Sequence, residues 1–155
     1  MATEEREITE AVDLCTASGL LNPAAVGWTR TPLHRCNLRG WGRTKRWEYW
    51  CLTTPTHLIA ITVADLDYLG VSNVFFLDYS GREVSRSCLH PGGWGITLPT
   101  SLDGGPVRAR GLAAIDLTSE PDGTRIRFSC KTSDGPMTGD LFVTLPPGHE
   151  TLAVV

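Results

Sequence analysis

Two carboxylates interrupt an apolar run. In HLIAITVADLDYLG, residues 57–70, Asp65 and Asp67 follow Ile61 and Val63 at a spacing of two. On a strand, all four side chains therefore point the same way. A buried carboxylate is costly unless it is paired, hydrogen-bonded, protonated or moved outside the core. Two carboxyls held close together can share one proton, because repulsion and desolvation raise the pKa of one of them. A carboxylic acid of that kind could protonate an alkene, the step a hydratase or cyclase needs. The commoner outcome for such residues is a surface or turn carboxylate paired with an arginine, here Arg30 or Arg46.

The stretch just upstream is aromatic. In KRWEYWCL, residues 45–52, a strand would put Trp47, Tyr49 and Cys51 on one face and Arg46, Glu48, Trp50 and Leu52 on the other. Large aromatics on such a strand most often fill a core, each burying about 150–250 Å². They could also line a pocket, since pockets are mainly apolar with a few placed polar groups. Leu58, Ala60, Thr62 and Ala64 share an alternation in the next strand and are mostly small. Trp47 and Tyr49 are therefore expected to face the interior and border a cavity.

Other chemistries find little support. His34, His57, His90 and His149 are scattered without ligand spacing, and the five cysteines contain no Cys-x-x-Cys pair. No metal is expected, and the cysteines read as reduced, mostly buried thiols. HPGGWG, residues 90–95, lacks the lysine and the following helix of a phosphate loop, so no cofactor is expected either. Between Asp13 and Glu48 no acidic residue occurs, whereas Arg30, Arg35, Arg39, Arg43, Lys45 and Arg46 all lie there, with Trp28, Trp41 and Trp47 among them. Such interleaving can serve a nucleic-acid backbone. A net charge of −3 argues against that partner.

These residues must be held by strands. Glycine-containing turn signals at 80–81, 92–93, 104–105, 122–123, 134–135 and 147–148 recur about every dozen residues, the spacing of an antiparallel all-β fold. In TRIRFSCKT, residues 124–132, Ile126, Phe128 and Cys130 alternate with polar residues. That segment should pair with GLAAIDLTSE before it and TGDLFVTLP after it, and NVFFLDYSGREVSRSCL should fold back on itself at Ser80-Gly81. The first dozen residues read as strand, although Thr3 and Glu4 would also suit a helix start. TPLHRCNLRGWGRT, residues 31–44, reads as a long loop, of the kind that more often carries function than decorates.

With 155 residues, 41% hydrophobic and 20% charged, the chain reads as a single domain over residues 1–155. It has no run of roughly 18 apolar residues to span a membrane. Its acidic, polar N-terminus is unlike a signal peptide, so a cytoplasmic location is expected.

EITEAVDLC, GLLNPAAVGWTRTPLHRCNL, KRWEYWCL and HLIAITVADLDYLGVSNVFFLD stand in an order and spacing that resemble the first half of a bacterial family known as domain of unknown function (DUF2804). The matching positions are Gly27, Trp28, Arg30, Trp47, Tyr49, Trp50, Asp65 and Asp67. The resemblance extends to a lipocalin-like superfamily that includes carotenoid hydratases and tocopherol cyclases. It implies a lipocalin-like antiparallel barrel or strongly curved sheet, one half of a two-barrel architecture, with apolar ligands in or between the barrels. It assigns no catalytic residue. The chain stops on LAVV, an apolar end that suggests a free strand edge paired by a second barrel half or by another copy.

The function expected is binding of a small apolar molecule, with Trp28, Arg30, Trp47, Tyr49, Asp65 and Asp67 as site residues. Whether catalysis accompanies it is open. The alternatives are a hydratase, isomerase or cyclase using a carboxyl acid, and a carbohydrate-binding β-sandwich with Trp41 and Trp94 as platforms.

Overall fold

Turn residues punctuate the chain into two meanders and a set of short terminal strands. A computed structural model describes residues 5–101 and 104–155, so Thr3 and Glu4 lie outside the described residues. Short strands β1 (Val12–Asp13), β2 (Trp28–Thr29) and β3 (His34–Arg35) come first, with one 3-10 turn at Pro23–Ala25. The first meander is β4 (Arg46–Thr53), β5 (His57–Asp65), β6 (Leu69–Asp78) and β7 (Glu83–Pro91). The second contains β8 (Ile96–Thr97), β9 (Val107–Ala109), β10 (Ala113–Glu120), β11 (Gly123–Thr132) and β12 (Gly135–Thr144), and β13 (Ala153–Val154) closes the chain.

The expected hairpins form. β6 and β7 turn at Ser80-Gly81, where Gly81 takes φ +112°, a conformation L residues rarely adopt. β10, β11 and β12 pair in sequence order, with Ile115 opposite Phe128 and Phe128 opposite Gly139. The sheets are ordered β4-β5-β6-β7 and β12-β11-β10-β9-β8, and both are antiparallel.

The two sheets face each other through their apolar alternates. Ile61, Val63, Val74 and Cys88 from the first meet Val107, Ala109, Ile115, Leu117, Ile126, Phe128 and Cys130 from the second. Ile61, Val63, Val74, Ile115 and Ile126 are completely shielded from solvent. Neither sheet closes into a barrel, so of the two expected forms the open one is present. One reason lies at β8, which pairs only with β9 and gives way two residues later to Pro99, a residue with no N–H to donate to a further ladder.

The terminal strands are stitched to each other. β13 pairs antiparallel with β2, aligning Ala153 with Thr29 and Val154 with Trp28. Gly27 and Val155 exchange two further backbone bonds, of 3.1 and 3.0 Å. This corrects the expectation of a wholly unpaired C-terminal strand: β13 is paired within the chain on one side by β2, and its other side has no partner strand among the described residues.

Gly139 shows how tightly neighbouring strands of the second sheet pack. A Cβ there would overlap the Phe128 ring, which lies across the glycine's inner face. Gly139→Ala should therefore lower stability by about 1–3 kcal/mol despite the better strand propensity of alanine. Ile115→Ala, which empties a fully buried site, should cost about 2–5 kcal/mol. Urea unfolding midpoints measure both, and a neutral Gly139→Ala would show that the ring can move aside.

Candidate functional site

The packing of the sheets decides which face of β4 is inside. Trp50 and Leu52 pack against the core, opposite Ile61 and Ile59 on β5. Trp47 and Tyr49 lie on the other face and are 65% and 55% exposed. The expectation that they face the interior is therefore corrected. Alternation along β4 is as the sequence suggests, but the large aliphatics Ile61, Val63 and Val74 claim the core face. Ala60 and Ala64 share the outer face with Trp47 and Tyr49.

Trp47 nevertheless borders a cavity, at a different place. β4 is the edge of its sheet, and a hollow of about 390 Å³ lies beside it, walled also by the 32–38 segment and the 98–101 turn. Leu14, Leu38, Trp47, Leu98 and Pro99 supply apolar wall, and His34, Cys36, Lys45, Arg46 and Glu48 supply the polar groups. The long loop expected to be functional thus forms one side of it.

Most of the polar groups are committed to holding the walls. Arg46 reaches Asp65 at 3.3 Å and the Leu98 carbonyl at 3.4 Å, tying β4 to β5 and to the 98–101 turn. The Cys36 amide donates to the Thr100 carbonyl at 2.6 Å, joining the other two walls. Glu48 accepts from the Trp50 indole N–H at 2.8 Å. His34 is different. Its Nε2 pairs with the Ala25 carbonyl at 2.9 Å and must be the donor there. That leaves Nδ1 buried, with no hydrogen-bond partner among the described residues.

Asp67 serves the same scaffold from outside the strand. At φ +67° it sits just beyond β5, accepts from the Thr44 hydroxyl at 2.5 Å and from the Thr44 amide at 3.1 Å, and donates its own amide to Asp65 at 2.9 Å. The Thr44 hydroxyl, helped by backbone N–H groups of the 42–44 loop, holds the Asp67 carboxyl below the usual carboxylate range. This corrects the raised-pKa reading at Asp67, which favours the ionised form. Asp65 takes the commoner alternative and pairs with Arg46.

The remaining expected residues lie elsewhere. Arg30 stacks over Trp28 at 4.8 Å and bridges Glu7 and Glu150, both at 2.9 Å, while the Trp28 indole donates to the Glu5 carbonyl at 3.2 Å. That cluster joins the two terminal segments and lines no part of the Trp47 cavity, nor does Tyr49. Of the six expected site residues, Trp47 lines the cavity and Asp65 and Asp67 brace its surroundings. His34, Cys36, Leu38, Leu98 and Pro99 were missed. The unbroken basic, loop-like composition of 30–46 was the signal available for the first three; nothing in the sequence joins 98–101 to it. Trp41 and Trp94 are both highly exposed.

Ser72 and His90 form a second polar pair, 2.9 Å apart, with His90 Nδ1 donating to the Trp94 carbonyl at 3.1 Å. Both are buried, at 0% and 3% exposure, so the pair anchors the 91–95 turn rather than meeting a substrate. Among the described residues, no cluster of three or more His, Cys, Asp or Glu is placed to hold a metal, and no helix is long and apolar enough to cross a membrane.

An all-β domain of two open, facing sheets with a side cavity at one sheet edge is thus the class of protein defined. The family model described as domain of unknown function (DUF2804) matches residues 5–155, nearly the whole chain, and the chain belongs to that family. No curated protein and no solved structure matches it.

The depressed Asp67 pKa has a consequence for acid stability. Its folded value lies below the unfolded one, so the stability it contributes is present above about pH 4 and is lost as pH falls through the folded value. Asp67→Asn keeps the tolerance for positive φ but removes this titration. The variant should be less stable than wild type at neutral pH and lose less stability on acidification. Asp78 and Asp140, also depressed, keep the remaining acid sensitivity. Urea midpoints at pH 7 and pH 3 that fall equally in both proteins would contradict this role.

Proposed function

We propose that the chain binds a small, largely apolar molecule in the cavity between β4, the 32–38 segment and the 98–101 turn. The observation that carries this reading is the hollow itself. At about 390 Å³ it falls within the range of ligand pockets, about 300–1,000 Å³, and its wall is mainly apolar with a few polar groups. Apolar surface left open in this way is stabilised by any apolar molecule that removes it from water. Binding is favoured over acid catalysis because Asp65 is held by Arg46 and Asp67 is kept ionised. The proposed ligand site therefore lies at the β4 edge, away from the filled centre between the sheets.

A neutral apolar dye such as Nile red should bind and gain fluorescence. Trp47→Ala should weaken that binding about fivefold, the loss of roughly 1 kcal/mol of contact. Because Trp47 is mostly exposed, the unfolding midpoint should shift by only about 0.5 kcal/mol. Tyr49→Ala, on the same sheet face but outside the cavity, should leave dye binding unchanged. Equal effects of the two substitutions would place the dye on the outer sheet face, and no uptake by wild type would end the reading.

A further inference from the structure

A second hollow neighbours the first and is more polar and more basic. It measures about 480 Å³ and lies between the 15–20 turn and the 38–45 segment. Leu38 and Lys45 line both hollows, so the two are neighbours on either side of these side chains. Arg39, Arg43 and Lys45 contribute three positive charges to the second one, and no acidic side chain among the described residues lines it. Much of the wall is polar backbone and hydroxyl, including Ser18, Gly19, Gly40 and Thr44.

The cations are placed by bonds that leave their charge unspent. Asn37 donates to the Cys15 carbonyl and accepts the Cys15 amide, at 2.9 and 2.8 Å, which fixes the two sides of the cleft to each other. Arg39 donates to the Ala17 carbonyl at 3.3 Å, a neutral partner. Asp67 clamps Thr44, between Arg43 and Lys45, from beneath the loop. Three like charges gathered around one cleft repel each other, and an anion entering it relieves that repulsion and gains charge-assisted hydrogen bonds.

We infer that the ligand is an amphiphile. Its apolar part occupies the Trp47 cavity, and its single anionic group, a carboxylate or a phosphate, sits in the neighbouring cleft between Arg43 and Lys45. This inference rests on the reading of the Trp47 cavity as a ligand site and adds the class of ligand. The apolar wall and the basic cleft, which share Leu38 and Lys45, match the two ends of one small molecule. Lys45 stands between them, where its methylene stem can lie along the apolar wall while the ammonium reaches the anion.

Competition of decanoate and decan-1-ol against bound Nile red tests this, since the two share a chain and differ in the head group. The readout is the ratio of the concentrations needed for half displacement, compared between wild type and the double variant Arg43→Gln, Lys45→Gln. Both positions are exposed, so the variant should fold. Because Lys45 also lines the Trp47 cavity, the dye affinity of each protein is measured first and each displacement is expressed relative to it. Its decanoate affinity should fall about tenfold relative to decanol, about 1.4 kcal/mol. Raising salt should erode the decanoate advantage in wild type and leave decanol unaffected. An unchanged ratio in the double variant, or failure of decanoate to displace the dye, overturns the head-group assignment while leaving the apolar cavity standing. Absence of dye uptake by wild type overturns both.

Discussion

The face-to-face packing of Ile61, Val63 and Val74 against Ile115, Leu117 and Ile126 is the constraint from which the rest of the molecule follows. These side chains are large, aliphatic and almost wholly buried, and they fill the centre of the space between the sheets. Cross-strand register then propagates the choice of face. Once Ile61 is inside, its partner Trp50 is inside, and Trp47 and Tyr49 are outside. A filled sandwich with aromatic residues on its outer face results, where a hollow barrel lined by the same aromatics would have needed the opposite parity.

Space for a ligand appears where the sandwich runs out of strands. β4 has no hydrogen-bonded neighbour strand on its outer side, and the segments that flank it are irregular. Irregular backbone cannot satisfy an edge as a ladder does, so these segments are held by individual polar contacts: Arg46 to Asp65 and Leu98, Cys36 to Thr100, Asn37 to Cys15, and Asp67 to Thr44. Such contacts hold the walls apart as well as together.

Charge follows the same division. Arg30, Arg35 and Arg46 are neutralised by Glu7 with Glu150, by Asp13 and by Asp65, and these pairs join segments distant in sequence. Arg39, Arg43 and Lys45, from the same basic stretch, gather instead around a cleft without acidic lining. A run of cations that looks uniform in the sequence is thus split by the fold into structural and unspent halves.

The alternation of Ile126, Phe128 and Cys130, the glycine-marked turns and the two faces of KRWEYWCL are local properties, so the sequence by itself determined the strands, the hairpins and the all-β class. Period two follows from backbone geometry alone and needs no knowledge of neighbours. It says which residues share a face, but not which face is buried. That depends on what the opposite sheet supplies, and only tertiary packing turned Trp47 and Tyr49 outward. Pairing of β13 with β2 likewise joins Val154 to Trp28 across most of the chain, beyond the reach of any local pattern. The fates of Asp65 and Asp67 were chemically open in the sequence, where a proton, a cation or a loop amide would each have satisfied them. Their surroundings decided: the facing Arg46 on β4 and the Thr44 loop brought within hydrogen-bonding distance. The cavity is the most tertiary feature of all, because Leu14, His34, Trp47 and Leu98 come from four separate segments whose meeting is fixed by long-range contacts.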